Sequence, residues 1–443
     1  MRVELKEGME PYKMTSRRYS PIAQDFMKLE TDCQIHWGFA YLNKESQWAS
    51  APFCVRKKVK EDAKLPPLID LMRMTVDLRE VNQRTTTTIW PMPNLEVMLG
   101  RIAGAKYFAL FDLTSGYWQF PLAKECQEIF SYMTDKGVYT PTRVPQGAAG
   151  SVAYVQAAMC EILGEELLYI HAAPWIDDVL VWANTEKELI TWIESLLKRC
   201  KSYGLKLHAR KSQVFTLTAI WCGRVISEKG VSHDPARLET LKAINLPTNG
   251  ADLQQFLCAV TWLQLTLPNY SQTINPLQVF MEKVYQVAKG RSKRKVKRIK
   301  LNELGWGTQQ DSAWNDVKQM LAHSMTMAHP DPEKMTCVFT DASEDFWGAI
   351  VTQIPKEDVA KPIDEQAHEL LAFVSHCFKG SQLRWAIIEK EAYAIVATCV
   401  RLDYLLLRQG GFYLFTDHRN LQFIFGNSPK RTCLHKHTEA KLQ

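Results

Sequence analysis

"PWIDDVLVWA", residues 174–183, sets two adjacent aspartates, Asp177 and Asp178, in the middle of an apolar run. The apolar residues on either side predict two short strands joined by a turn at the acids. Mutual repulsion and lost hydration both oppose two carboxylates in such a place. The pair is therefore either an ordinary turn, which aspartate favours, or part of a site that binds something positive.

The segments around this hairpin predict a split βαβ sheet. KYFALFDL, residues 106–113, reads as a buried strand that ends near Asp112. Residues 151–168 and 185–204 carry apolar side chains at helical spacing. Thr185 is a candidate N-cap of the second helix, and Gly204 is its candidate end. In the order strand, helix, hairpin, helix and strand, Asp112 meets the paired aspartates although they lie far apart in the chain.

Length and composition limit the class of protein. The 443 residues predict about two to four domains, and 46% hydrophobic with 23% charged residues is typical of a globular protein. A net charge of +6 is compatible with a polyanionic partner without requiring one. The 11 cysteines form no C-x-x-C pair, which favours a reducing intracellular setting. No signal-peptide core or membrane-spanning run is present, so we expect a cytoplasmic (including a virus-like particle) or nuclear protein without a membrane role.

A second set of acids lies near the end of the chain. VFTDASEDFWGAIVTQ, residues 338–353, reads as a hairpin with Asp341 at the end of its first strand. Residues 388–407 read as an amphipathic helix that carries Glu391, and residues 412–425 contain a strand that ends at Asp417. Two strand-end acids and one helix acid predict a second carboxylate site.

Three convergent carboxylates are costly unless cations neutralise them. Oxygen ligands at this density suit Mg²⁺, with Mn²⁺ as the alternative ion. Two such ions can stabilise the attacking and leaving oxygens of a phosphoryl transfer. Both acid clusters are therefore predicted metal sites.

Three motifs occur in order: FDLTSGYWQ (111–119), VPQGAAGSVAYVQ (144–156) and WIDDVLV (175–181). Together they resemble the palm motifs of reverse transcriptases, most closely those of gypsy-type LTR retrotransposons. Flanking stretches resemble the fingers and the primer-holding segment. The acids near the end resemble the ribonuclease H domain that follows the polymerase in this family.

This resemblance implies an α+β and α/β multidomain fold. It would comprise a right-hand polymerase, with fingers, a ferredoxin-like palm and a thumb, and a ribonuclease H-like domain. The implied domains are 1–233 for fingers and palm, 234–335 for thumb and connection, and 336–443 for the ribonuclease H-like domain. We expect the last domain to be truncated at its C-terminus, because the fourth acid that a final helix supplies in the family is not found.

The motifs also imply roles for single residues in the polymerase. Asp112 and Asp177 match metal ligands, and Asp178 completes the acidic triad. Tyr117 matches the residue under the incoming sugar, where an aromatic ring collides with a 2′-hydroxyl.

Further matches concern the nucleotide and the nuclease. Gln146 and Gly147 match the loop beside template and nucleotide, and Arg73 and Lys57 match finger positions that hold the triphosphate. Lys211 lies near the same site in the pattern, without an assigned role. The resemblance makes Asp341, Glu391 and Asp417 the catalytic and metal-binding residues of the ribonuclease H-like domain.

The implied activity is RNA-directed DNA polymerisation, with hydrolysis of RNA in hybrids as a second activity. The expected partners are an RNA template, a DNA primer, the RNA–DNA hybrid and dNTPs. Val152 stands where the family has proline and Trp175 where it has tyrosine, so a non-catalytic nucleic-acid-binding relic is the alternative. An RNA-dependent RNA polymerase would share the aspartate hairpin, but Tyr117 argues against it.

KGRSKRKVKRIK, residues 289–300, has eight lysines and arginines and no acid. Such a run is typical of a solvated, disordered linker. It could equally contact the phosphates of a duplex or serve as a nuclear import signal. The sequence leaves these three interpretations open.

Overall fold

The computed structural model describes residues 1–57, 67–87 and 89–425. They form two compact units: Met1–Asn94 with Lys106–Thr216, and Leu95–Ala105 with the chain from Leu217 onward. The predicted domain boundaries after residues 233 and 335 both fall inside the second unit and remain predictions. Residues 426–443, where a C-terminal truncation was predicted, lie outside the described residues. None of the helices in the described ranges is long and apolar enough to cross a bilayer.

The β-strands, in chain order, are β1 (Ala40–Leu42), β2 (Pro52–Arg56), β3 (Met72–Val76), β4 (Tyr107–Asp112), β5 (Tyr132–Thr134), β6 (Gly137–Pro141), β7 (Ala172–Trp175), β8 (Asp178–Ala183), β9 (Gln213–Thr216), β10 (Thr218–Trp221), β11 (Arg224–Ser227), β12 (Gly230–His233), β13 (Met335–Ala342), β14 (Phe346–Ile354), β15 (Glu369–Cys377) and β16 (Phe412–Phe415).

The α-helices are α1 (Pro21–His36), α2 (Leu68–Leu71), α3 (Arg79–Arg84), α4 (Leu95–Gly100), α5 (Ser151–Leu167), α6 (Glu186–Tyr203), α7 (Pro235–Lys242), α8 (Gly250–Thr261), α9 (Tyr270–Ala288), α10 (Lys293–Val296), α11 (Thr308–Ala322), α12 (Ile387–Arg401), α13 (Asp403–Leu406) and α14 (Arg419–Phe425).

The first unit is built around a four-stranded sheet in the order β7-β8-β4-β9. Strand β8 lies between two neighbours and is buried along almost its whole length, which explains its continuous apolar run. Helices α5 and α6 pack beside the sheet. Thr185 caps α6 through a capping box with Glu188, and Gly204 ends it in the left-handed conformation, as the sequence predicts.

A smaller two-stranded sheet, β2 with β3, lies in the same unit. The stretch MTVDLREVN, residues 74–82, reads from its sequence as extended chain, but β3 ends at Val76 and α3 follows. Asp77 explains the change, because its buried carboxylate accepts hydrogen bonds from Arg79 and Arg17 and fixes the chain there. The hydrogen bond from Arg79 lowers the pKa of Asp77 to about 2.

The second unit contains a helical core. Helices α8, α9 and α11 bury Phe256, which stacks on Trp314 with the ring centroids 3.9 Å apart. The basic segment is folded against this core, since α10 contacts both α8 and α9. It is therefore not the disordered linker that its composition allowed.

The same unit contains a four-stranded sheet in the order β15-β14-β13-β16, with β16 parallel to β13. Helix α12 packs on β13 and β14. The single helix predicted for residues 388–407 is instead two, α12 and α13, and the strand predicted near residue 412 ends at Phe415 before α14 begins. Asp417 consequently lies in the loop after β16 rather than at its last residue.

Gly250, the first residue of α8, allows this helix to approach α10. A Cβ atom there would lie 2.8 Å from the backbone oxygen of Val296 and 2.5 Å from Cγ1 of Val284. Gly250→Ala should lower the free energy of unfolding by about 1–3 kcal/mol, because the backbone of α10 must move. Urea unfolding monitored by tryptophan fluorescence measures this free energy of unfolding.

Gly100→Ala is the matched control, since its Cβ would meet only Cγ of Pro330, at 4.0 Å. Equal unfolding free energies for the two variants would contradict the close approach of α8 and α10.

Candidate active sites

The first acid cluster lies where β4 meets the β7–β8 hairpin. Antiparallel pairing sets Asp112 directly opposite Asp178, and Asp178 opposite Trp175 across the hairpin. Asp177 occupies the turn, and its carbonyl oxygen accepts a hydrogen bond from the backbone N–H of Leu113 at 2.8 Å. The fold therefore brings together three acids from two distant segments, as the sequence predicts.

The hairpin turn is held in an unusual conformation. Ile176 has a φ of 60°, which a β-branched residue rarely adopts. The side chain of Gln156 stabilises the turn from α5: its Oε1 accepts from the N–H of Ile176 at 2.8 Å, and its Nε2 donates to the carbonyl of Pro174 at 2.9 Å. Because Gln156 is 0% exposed, both hydrogen bonds are protected from water.

A glycine makes room for the turn on its other side. Gly116 begins the 3₁₀ turn Gly116–Gln119, and a Cβ atom at this position would lie 2.8 Å from Cβ of Asp177. Tyr117 follows directly and is half-buried. The turn of Asp177 and the predicted sugar-facing tyrosine are therefore packed through a residue that tolerates no side chain.

The charges of this cluster are partly compensated within the protein. The ammonium group of Lys211 lies 3.2 and 3.3 Å from the two carboxylate oxygens of Asp112. Burial, together with the charges of Asp177 and Asp112, raises the pKa of Asp178 to about 6. Burial and the charge of Asp177 also raise the pKa of Tyr117. The site thus favours additional positive charge.

The loop of Gln146 and Gly147 is fixed by a residue outside it. Asn82 of α3 donates to the carbonyl of Gly147 and accepts from the N–H of Ala149, both at 2.9 Å. Gly147 is exposed with a φ of 93°, a conformation that favours glycine. The half-buried Gln146 lines a small cavity together with Trp118, the residue after Tyr117.

The other predicted residues of this unit lie apart from the acids in the strand pattern. Arg73 is exposed on β3 and pairs in register with Val55, two residues before the exposed Lys57. Both cations therefore lie at the same end of the β2–β3 pair. Val152, which stands where the family has proline, is 40% exposed on α5.

The second acid cluster is compact. One carboxylate oxygen from each of Asp341, Glu391 and Asp417 lies within 4.8 Å of the others. In the part of the chain that the structure describes, this is the one such group of three metal-ligand side chains. The acids of the first cluster do not meet this limit, and there Lys211 contacts Asp112.

Glu391 is the buried member of the second cluster, at 4% exposure. Its Oε1 accepts from the N–H of Ala342 at 3.2 Å, and its Oε2 has no hydrogen-bond partner. Burial first, then the charges of Asp341 and Asp417, raise its pKa to about 7. A buried carboxylate oxygen without a partner beside two further carboxylates fits a divalent cation.

Sequence reasoning missed the residues that hold these sites in place. Gln156 does carry a signal in the sequence, because it is a polar residue on the apolar face of α5. The hydrogen bonds of Asn82 and the close approach at Gly116 depend on tertiary contacts, which no local sequence pattern predicts.

Two family descriptions match the chain. Residues 57–262 match "Reverse transcriptase (RNA-dependent DNA polymerase)", and residues 331–443 match "RNase H-like domain found in reverse transcriptase". The first match contains the aspartate hairpin, and the second contains the compact triad.

Similar proteins are encoded by retrotransposons. The chain is 26% identical over 353 residues to the retrovirus-related Pol polyprotein from transposon 297 of Drosophila melanogaster, which covers 80% of this chain and 30% of that protein. It is 26% identical over 351 residues to the Tf2-3 polyprotein of Schizosaccharomyces pombe, covering 79% of this chain and 24% of that protein. The chain thus spans about a third or less of the length of these relatives.

The fold is similar to that of solved foamy viral protease–reverse transcriptases. One, in complex with double-stranded DNA, has a TM-score of 0.77 at 19% identity and covers 98% of this chain and 69% of that one. Another, in complex with an RNA/DNA hybrid, has a TM-score of 0.73 at 18% identity. This match covers 98% of this chain and 54% of that one.

The chain has the fold of a reverse transcriptase with a ribonuclease H-like domain, which confirms the predicted multidomain fold. Residues 57–262 therefore carry a reverse transcriptase domain and residues 331–443 an RNase H-like domain, and the similar proteins are retrotransposon Pol polyproteins, as the motifs predicted.

The hydrogen bonds of Gln156 generate a prediction about the hairpin. Gln156→Leu leaves the N–H of Ile176 and the carbonyl of Pro174 without partners in a buried setting. We expect amide exchange in residues 174–183 to accelerate by about 10-fold or more, measured by hydrogen–deuterium exchange. Gln24→Leu, on the exposed side of α1, should leave exchange there unchanged. Unaltered amide exchange in Gln156→Leu would mean that the two hydrogen bonds of Gln156 do not stabilise the turn.

The pKa of Glu391 generates a prediction about pH. The metal-free folded protein binds its proton more tightly than the unfolded chain, so the free energy of unfolding should fall as pH rises from 4.5 to about 7. Glu391→Gln removes this loss. We expect it to raise the free energy of unfolding at pH 8 by on the order of 2 kcal/mol, and to change it little at pH 4.

Urea unfolding between these pH values, in the presence of a chelator, measures the effect. Glu344→Gln provides the control, because Glu344 is exposed. A Glu391→Gln profile parallel to that of the wild type would mean that Glu391 does not carry the shifted proton.

Proposed function

We propose that this chain is an RNA-directed DNA polymerase that extends a DNA primer on an RNA template with dNTPs. The supporting observation is the register that sets Asp112 opposite Asp178 beside the turn of Asp177, in a domain that matches reverse transcriptases. Asp112, Asp177 and Asp178 would hold Mg²⁺, or Mn²⁺ in its place. A bound divalent ion supplies stabilisation of charge on the attacking and leaving oxygens.

The residues around these acids have separate tasks in the proposal. The half-buried ring of Tyr117 excludes a 2′-hydroxyl, which selects deoxynucleotides. Gln146 and Gly147 lie against the template and nucleotide, on a loop fixed by Asn82. Arg73 and Lys57 bind the triphosphate from the β2–β3 pair. In the absence of metal, the ammonium group of Lys211 neutralises the carboxylate of Asp112.

A second activity, hydrolysis of RNA in an RNA–DNA hybrid, is supported by the compact triad. Asp341, Glu391 and Asp417 bring one oxygen each within 4.8 Å of the others, and the unpartnered oxygen of Glu391 fits a metal ligand. The relatives are much longer than this chain. That this chain alone carries both activities is therefore part of the proposal.

Single substitutions should separate the two activities. Asp177→Asn should reduce template-directed dNTP incorporation on the order of 10³-fold while leaving hybrid cleavage intact. Glu391→Gln should abolish cleavage and leave incorporation intact. Primer extension and cleavage of a labelled hybrid, each with Mg²⁺ and with Mn²⁺, measure the two activities on the same preparations.

Asp135→Asn is the matched control for the polymerase variant, because Asp135 also lies in a two-residue hairpin turn, between β5 and β6. Wild-type incorporation by Asp177→Asn would refute the assignment of the acids. A wild-type chain that binds primer–template but incorporates neither dNTPs nor rNTPs would favour the non-catalytic relic suggested by Val152 and Trp175. Incorporation of rNTPs in preference to dNTPs would favour an RNA polymerase.

A further inference from the structure

We propose that residues 289–300, the basic segment, form a preformed binding site for the phosphate backbone of a nucleic-acid duplex, with Arg294, Lys297 and Arg298 as its contacts. This inference rests on the proposed function, because it names the part of the chain that holds the duplex on which the polymerase acts. It also decides among the three interpretations that the sequence left open.

Hydrogen bonds to the backbone of the segment fix both of its ends. Gly250 donates to the carbonyl of Ile299 at 3.0 Å, and Leu301 donates to the carbonyl of Thr248 at 3.2 Å. At the other end, Nε2 of Gln254 donates to the carbonyl of Arg291 at 2.9 Å. A disordered linker would lack such ties, so the charges of this segment are presented from a fixed frame.

A single apolar side chain anchors the middle of the segment. Val296, at 0% exposure, packs in the core of α8, α9 and α11. The chain continues as a helical turn beyond α10, since Lys297 donates to the carbonyl of Lys293 at 3.0 Å and Arg298 to that of Lys295 at 3.2 Å. The orientation of each side chain therefore follows from its helical position.

The helical turn places three cations opposite this anchor. At about 100° per residue, Arg294, Lys297 and Arg298 share an arc of about 100° whose centre lies nearly opposite Val296. All three are exposed. Their i, i+3 and i, i+4 spacing sets neighbouring Cβ atoms about 5–6 Å apart. This is a compact row of charges directed away from the core.

The protein itself leaves most of this charge uncompensated. Within the described ranges, only two of the eight cations pair with a carboxylate: Arg291 with Glu282 at 2.9 Å, and Lys300 with Glu303 at 3.4 Å. Other contacts go to neutral oxygens, as when Lys295 donates to the carbonyl of Lys289. Like charges held this close repel one another, and a polyanion relieves the repulsion.

A duplex backbone suits this row better than an import receptor or a single anion. A duplex presents a regular row of phosphates to a rigid surface, whereas a receptor that reads a linear signal must release the segment from Val296 and its backbone ties. Each phosphate contact releases condensed counterions, so binding through this row must depend steeply on salt.

The test compares the salt dependence of duplex binding in two triple variants of the full chain. R294Q/K297Q/R298Q removes the row, and K187Q/K198Q/K201Q removes the same charge from exposed positions of α6. Fluorescence anisotropy with a labelled RNA–DNA hybrid of about 20 base pairs, at about 50–300 mM KCl, gives the slope of log K against log salt.

We expect the slope of the first variant to fall by about 2–3, at about 0.9 per phosphate contact, and its Kd to rise about 10-fold or more at 100 mM KCl. The effect should be equal for hybrids of unrelated sequence. The α6 variant should keep the wild-type slope. Identical slopes in the two variants would overturn the proposal, as would loss of binding to a purified nuclear-import receptor without any change of slope.

Primer extension on the same proteins distinguishes this inference from the proposed function. The first variant should incorporate dNTPs at the wild-type rate when primer–template is saturating, with a raised KM for primer–template. If the wild-type chain polymerises nothing, the proposed function fails, while the salt slopes still decide whether the row binds a duplex.

Discussion

Repulsion between carboxylates held close together in an apolar frame is the constraint on which the rest of this structure depends. The first cluster relieves it with the ammonium group of Lys211 on Asp112 and with a raised pKa at Asp178. The second relieves it by raising the pKa of the buried Glu391 to about 7. Each cluster therefore favours a positive charge at a defined point of the fold, and a divalent-ion site requires the same.

The frame that opposes this repulsion consists of backbone contacts rather than of further charges. Gln156 binds both sides of the strained turn at Ile176, and Gly116 approaches Asp177 too closely for any side chain. Strain of this kind persists only where the surroundings over-determine it. The buried strands on either side provide those surroundings. The positions of the acids therefore depend on the packing of the core of the first unit.

The sequence predicts the elements whose signals are local. The apolar run around the paired aspartates predicts the hairpin, and Thr185 with Gly204 predicts both ends of α6. It fails where a distant contact decides. The chain turns into α3 because Asp77 is bound by two arginines, one of them sixty residues away in sequence. The basic segment folds because Val296 enters a core made by other helices.

The two acid clusters should differ in their response to salt, because different charges balance them. At the first cluster a divalent ion would compete with the ammonium group of Lys211, whose side chain is 61% exposed, and with a proton on Asp178. Salt screens the attraction between such an exposed ammonium group and Asp112. At the second cluster the ion would compete with a proton on Glu391, whose carboxylate is protected from solvent. Metal binding there would release that proton and would weaken as pH falls below about 7. Both clusters would therefore lose a bound divalent ion at low pH, and an exposed ammonium group would compete with the ion at the first cluster.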